Sequence, residues 1–167
     1  LCSTPLNAVY AICPMGSTGS TYCRREGRFR VIECIVDSGA SSNVCPKNKM
    51  MPGMAIIPTA RSRAGHTFKC ANGQSIADLG LQVVQGWDAA GQQLQVPFTV
   101  CDGLDRPLLA VIELGKLGNR VVFEEDGGSI THKVTGECTQ FVVKGRNYLL
   151  ELWIEDDVEG DFAWQGP

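Results

Sequence analysis

Val31-Ile32-Glu33-Cys34-Ile35-Val36-Asp37-Ser38-Gly39-Ala40 is the stretch on which the reading of this chain turns. Five of the six residues before Asp37 are apolar, as in a buried strand, and the run leads straight into a turn of small residues. A strand ending this way aims the Asp37 carboxylate at the floor of a cleft. Ser38 can donate its hydroxyl to a backbone carbonyl and fix the turn. Gly39 has no Cβ, so two such loops can approach closely and its N–H can face a carboxylate. Ala40 is small enough to lie against a substrate backbone. Two carboxylates about 3 Å apart cannot both ionise, so they share a proton. The ionised one takes a proton from a bound water while the protonated one polarises a scissile carbonyl, and the pair titrates as a unit. That chemistry needs the turn twice, and the chain contains Asp-Ser-Gly once. Asp102-Gly103-Leu104 and Asp126-Gly127-Gly128 lack the hydroxyl residue and the apolar lead-in. On this reading the second aspartate comes from a second copy of the chain.

Asp-Ser-Gly is also ordinary turn chemistry, in which Asp caps its own backbone and Gly supplies positive φ. Context along the chain decides between the two. At 167 residues the chain has the length of one domain with its own core. A net charge of −3 and a pI near 5.4 argue against a nucleic-acid-binding surface. Arg24, Arg25, Arg28 and Arg30 cluster, but Glu26 and Glu33 interrupt them, as on a solvated strand edge. No apolar run approaches the roughly 20 residues that span a bilayer, and no signal peptide is visible ahead of a first residue that is Leu. The chain reads as a segment cut from something longer.

Eight cysteines, an even number, allow a disulfide framework: Cys2, Cys13, Cys23, Cys34, Cys45, Cys70, Cys101 and Cys138. Against it, Cys34 and Cys101 sit inside apolar strand patterns, where free Cys packs as a small hydrophobe, and no Asn-x-Ser/Thr sequon is present. There is no C-x-x-C, and His66 with Cys70 is a lone pair, so no metal site is expected. The thiols are read as reduced and structural.

The organisation is mostly β. Residues 1–27, rich in Gly, Ser and Thr around 14–21, read as an N-terminal arm or linker, and 155–167 as an acidic C-terminal tail. Between them, 28–154 form the domain. Residues 29–36 form the strand feeding Asp37, and 43–66 read as irregular with one short apolar run at Ala55-Ile56-Ile57. Phe68-Lys69-Cys70-Ala71 and residues 76–84 bracket Asn72-Gly73, the pattern of a two-residue hairpin turn with positive φ at both positions. Leu94, Val96, Phe98 and Val100 alternate with polar residues, and Pro97 places that strand at an edge or a bulge. One helix is expected after Pro107, with Leu108, Val111, Ile112, Leu114 and Leu117 as its buried stripe and Gly118 as its stop. Val121-Val122-Phe123 resumes extended structure, Asp126-Gly127 turns it back into 130–134, and a last hairpin joins 140–143 to 148–154 across Gly145. No internal repeat stands out.

That order resembles the retropepsin-type aspartic proteases, and more closely the protease segment of copia-type LTR retrotransposon polyproteins. The residues that carry the likeness are Val36-Asp37-Ser38-Gly39-Ala40-Ser41, Ala71-Asn72-Gly73-Gln74, and Pro107-Leu108-Leu109-Ala110-Val111 with Leu114, Leu117 and Gly118. Val121-Val122-Phe123 and Ser129-Ile130 follow, so the likeness covers roughly residues 29–154. It implies an all-β, mostly antiparallel acid-protease fold, a closed barrel-like domain with one short helix. It implies Asp37 as catalytic aspartate in an active-site loop with Ser38, Gly39 and Ala40, Ser38 reaching across a dimer. Ala71, Asn72, Gly73 and Gln74 would form a flap over a bound peptide, and 108–111 the apolar stretch beneath the active site. Homodimerisation, a peptide or polyprotein substrate, no cofactor or metal, no nucleic acid through this segment, no membrane, and a cytoplasmic location that includes virus-like particles all follow from it. The chain departs from retroviral relatives in carrying Ala110-Val111 where they have Gly-Arg or Gly-Asn, in a flap with fewer glycines, and in a longer stretch from Ala40 to Ala71. Two other expectations stand beside it: a catalytically inactive module of the same fold that dimerises or binds peptides, and an extracellular disulfide-bonded β domain in which Asp37-Ser38-Gly39 is only a turn.

Overall fold

A computed structural model describes residues 29–155. The expected arm, the tail beyond Glu155, and Cys2, Cys13 and Cys23 lie outside the described residues. In chain order the elements are β1 (Phe29–Asp37), β2 (Val44–Pro46), α1 (Ala60–Arg63), β3 (Thr67–Lys69), β4 (Ser75–Trp87), β5 (Gln93–Cys101), β6 (Leu108–Ala110), α2 (Val111–Lys116), β7 (Asn119–Phe123), β8 (Gly127–His132), β9 (Cys138–Lys144) and β10 (Asn147–Glu155). The strands form one mixed sheet in the order β3-β4-β5-β2-β6-β1-β10-β9-β8-β7. The pairs β1–β6 and β2–β5 are parallel and the others antiparallel, so the expectation of a predominantly β, mostly antiparallel domain holds. No helix of the described residues is long and apolar enough to cross a membrane.

Alternation makes the core. In β5, Leu94, Val96, Phe98 and Val100 are buried and the residues between them less so. Cys34 and Val36 of β1, Val84 of β4, and Leu150, Leu152 and Ile154 of β10 pack into the same cluster. Each large apolar side chain fully buried this way is worth roughly 1.5–3 kcal/mol. Cys34, Cys45 and Cys101 are buried free thiols, and Cys70 and Cys138 are free and half-buried. Desolvation pushes the Cys34 thiol well above the ordinary range. Nothing in this burial calls for disulfides.

Pro97 lies inside the sheet, not on an outer strand. Thr99 N–H donates to Asn43 O at 2.9 Å, so the nitrogen of Pro97, two residues earlier, faces the same side. There β2 begins only at Val44 and pairs no residue before Thr99. The missing donor meets no neighbouring strand, and the sheet tolerates the proline.

Four local expectations need correction. The helix does not begin after Pro107: Leu108–Ala110 form β6, because β1 needs a parallel partner beside Asp37, and helix starts only at Val111. Its stop at Gly118 (φ +84°) is as expected. Residues 43–66 are not all irregular: they hold β2, a bridge from Ile57 to Leu81, and α1, a second helix. Thr59 caps α1 reciprocally, its Oγ1 accepting from Ser62 N–H at 3.1 Å and its N–H donating to Ser62 Oγ at 2.8 Å. The Asn72-Gly73 hairpin is not a two-residue turn with two positive φ angles. Gly73 alone is left-handed (φ +83°); Gly73 N–H bonds Cys70 O at 2.9 Å and Cys70 N–H bonds Gln74 O at 2.8 Å, a three-residue loop closed by a left-handed glycine. Finally, Gly127 belongs to β8, not to the turn, and β8 ends at His132, leaving Val134 in the next turn.

Two glycines shape the sheet. At Gly80 (φ +127°) the β4–β5 register shifts, and a Cβ there would lie 2.5 Å from Ile57 O. At Gly86 a Cβ would lie 2.6 Å from Trp153 O, so its absence lets β4 come against β10, where Trp87 pairs Trp153.

Candidate active site

Asp37 ends β1 half-buried, and its backbone stands in parallel register with Ala110 of β6. One step back, Ile35 N–H donates to Pro107 O at 2.9 Å. The chain then leaves the sheet, and Gly39 N–H donates to Asp37 Oδ1 at 2.7 Å. A Cβ on Gly39 would sit 3.3 Å from that oxygen, so glycine lets the loop fold back on its own carboxylate. Ser38 and Gly39 are exposed and Ala40 half-buried.

Two cavities meet at Asp37. One, of about 350 Å³, runs between the Asp37 loop and the β3–β4 hairpin. Asp37, Gly39, Ala40, Ser41 and Ser42 form one lip, and Phe68, Lys69, Cys70 and Ala71 the other; Val44, Ile76, Cys101, Leu104 and Leu108 make an apolar floor. The second, of about 370 Å³, lies on the Ser38 side against Ile35, Val36, Phe123, Arg146, Asn147 and Tyr148. Of the residues singled out from sequence, Asp37, Gly39, Ala40 and Ala71 therefore share one groove. Ser38 faces the other cavity. Asn72, Gly73 and Gln74 line neither: they form the exposed hairpin tip, where Gln74 N–H donates to Asn72 Oδ1 at 2.9 Å.

The hairpin base is better fixed than its tip. His66 Nδ1 lies 3.6 Å from Oδ2 of Asp78, whose side chain is 3% exposed, and the His66 ring meets Phe68 edge-on at 4.8 Å. Asp78 Oδ1 accepts from Gly80 N–H at 3.0 Å. On the groove floor, desolvation, with the charges of Asp78 and Cys70 adding to it, raises the Cys101 thiol to about 11. Desolvation also raises Cys45 of β2 to about 12. These are inert, protonated thiols at neutral pH.

Sequence reasoning missed Asn43. Only 5% exposed, it accepts Ala110 N–H on Oδ1 at 2.8 Å, donates from Nδ2 to Pro97 O at 3.4 Å, and accepts Thr99 N–H on its own carbonyl at 2.9 Å. Ala110 is fully buried, and its N–H has that side chain as partner; left unpaired it would cost about 1–3 kcal/mol. An asparagine six residues after Asp37 carries no periodicity, so only the fold reveals it. The described residues hold no group of three or more His, Cys, Asp or Glu that could bind a metal.

No protein family, curated protein or solved structure matches this chain.

Proposed function

We propose that this chain is one half of a homodimeric aspartic endopeptidase with a retropepsin-like, barrel-like β fold, acting on peptide or polyprotein substrates inside the cell, as in copia-type retrotransposons. The observation that carries the reading is the groove in which Asp37, Gly39 and Ala40 face Ala71 at the start of the hairpin loop, over an apolar floor. A carboxylate at a strand end, facing a hairpin across a groove, is what each half of such a two-carboxylate site would contribute. The meeting of β4 with β10 at Trp87 and Trp153 supports the barrel-like description, since it joins the ends of the run β4-β5-β2-β6-β1-β10.

In the mechanism, Asp37 and the same residue of a second copy share one proton. The ionised carboxylate takes a proton from water as the water oxygen bonds the scissile carbonyl carbon; the protonated one gives its proton to the carbonyl oxygen. The carboxyl that took the water proton then gives it to the amide nitrogen as the C–N bond breaks, while the other carboxylate takes a proton from a hydroxyl of the diol, releasing an acid and an amine and restoring the shared proton.

The test is incubation of the purified chain with a polyprotein precursor at mildly acidic pH, with and without a statine-type inhibitor. Cleavage blocked by the inhibitor and absent from Asp37→Asn is expected. Precursor left intact by a folded, dimeric wild-type chain would point to the inactive binding module.

A further inference from the structure

Residues 38–42 leave the sheet after Asp37 and return to it at Asn43, and both ends of that loop stand against one residue, Ala110. Asp37 stands beside Ala110 in the β1–β6 register; Asn43, across the loop, takes the Ala110 N–H on its side-chain oxygen at 2.8 Å. Ala110 cannot supply this anchor unaided. It is the last residue of a three-residue strand and the first flank of α2, where it has no side-chain cap. Asn43 is held in turn from β5 through Pro97 O and Thr99 N–H. The path from Asp37 through the loop to Asn43, on to Ala110 and back through the β1–β6 ladder is therefore closed, and it is braced from outside at the asparagine.

We infer that Asn43 is a positioning residue for Asp37, acting through Ala110, and that the direction of the Asp37 carboxylate depends on its side-chain amide. The inference deepens the proposed protease reading and rests on it for its kinetic part only. An amide placed only to satisfy buried donors would stabilise the fold and leave the loop indifferent to its loss. An amide that closes this path lets both loop ends drift when it is removed, because the end of β6 is then held from one side. Geometry errors at a reacting group lower turnover more than binding.

Asn119 provides a second buried asparagine as control. It is 2% exposed, bonded to the chain through Nδ2 to Leu114 O at 3.1 Å, and borders neither cavity. The experiment compares wild type, Asn43→Ala and Asn119→Ala for thermal midpoint, for kcat and KM on one peptide, and for amide hydrogen exchange at Asp37. Both variants should lose stability to a similar degree. Asn43→Ala alone should speed exchange at Asp37 about tenfold or more and cut kcat by a similar factor, with KM within about twofold. If it does not fold, Asn43→Asp, which keeps an oxygen facing Ala110, should keep Asp37 exchange within about threefold of wild type. Asp37 exchange unchanged in Asn43→Ala, or disturbed equally in both alanine variants, overturns the inference; so does loss of protection in Asn43→Asp. A wild-type chain that cleaves no peptide sinks the protease reading instead, while the exchange measurement still decides the role of Asn43.

Discussion

The two lips of the groove are built in opposite ways. The Asp37 loop is short and fastened at both ends to β6, with a buried asparagine closing it. The 70–74 hairpin opposite is closed by its own backbone bonds, and around Gly73 there is open space: a Cβ there would meet nothing within 4 Å. One lip is braced from the sheet; the other has open space at its tip. A site that must fix its reacting group and still admit a polypeptide needs both, and substitutions on the two lips should therefore fail differently.

The sharpest break is at the fixed lip. Asp37→Asn is nearly isosteric but cannot accept a proton, so turnover should fall by at least about 10²–10⁴-fold, with a thermal midpoint close to wild type. Peptide cleavage and a melting curve on the same sample check it; full activity in the variant would falsify the aspartic mechanism.

A second substitution separates glycines that fill space from glycines that bend chain. A Cβ on Gly128 would lie 2.1 Å from Val122 O and 2.4 Å from the Phe141 ring, and one on Gly127 2.3 Å from Phe141 O. Gly128→Ala should therefore lower stability by on the order of 3–5 kcal/mol in urea unfolding, since the obstacle is backbone that cannot yield. A loss under about 1 kcal/mol would mean that β7 and β9 shift freely.

At the hairpin lip the balance reverses. Gly73→Val meets no neighbour but must hold a β-branched residue at φ +83°, a strain of about 1–3 kcal/mol. A misdirected tip should lower kcat/KM about tenfold or more once stability is corrected for. Equal turnover in wild type and variant would leave 70–74 an ordinary surface turn and remove Asn72, Gly73 and Gln74 from the site.

How much of this was legible in advance follows from how each signal is generated. Phe98 and its neighbours in β5, the strand into Asp37 and the hairpin across Gly145 were readable because period-two burial writes itself into residue types. Leu108-Leu109-Ala110 was misread as helix because three apolar residues fit either period, and what decides is the parallel partner Val36-Asp37, far away in sequence. The three-residue β2, which includes Pro46, has too few residues to show any period. Gly127 looked like a turn residue beside Asp126, yet it and Gly128 are glycines because Phe141 and Val122 pass close by, a fact of tertiary packing. For the site, the sequence grouped Asp37, Gly39, Ala40 and Ala71, which line one groove, and its apolar stretch supplies Leu108 to the floor; the rest of the floor and Asn43 were not anticipated, since their place depends on strands from three parts of the chain.

The smallest expected effect concerns the groove floor. Cys101, and Cys45 beside it in the sheet, have thiols raised from 9.0 to about 11 and about 12. The folded chain keeps both protonated where the unfolded chain begins to release protons. Their contribution is complete below the unfolded value and is lost as pH rises from about 9 toward the folded values. The unfolding free energy from urea melts should fall over that window by up to about 1.4 kcal/mol per pH unit for each thiol, and Cys101→Ala should show a shallower fall. An identical slope in that variant would show that Cys101 does not titrate on unfolding.

The central claim is that one chain carries half a site. Wild-type chain and Asp37→Asn chain, mixed in equal amounts and equilibrated to random dimers, test it most directly through the peptide cleavage rate at constant total protein. If each site needs an aspartate from both copies, only dimers of two wild-type chains cleave, and the mixture should retain about one quarter of the wild-type activity. Retention of about one half would mean that each chain works alone, and would contradict the account.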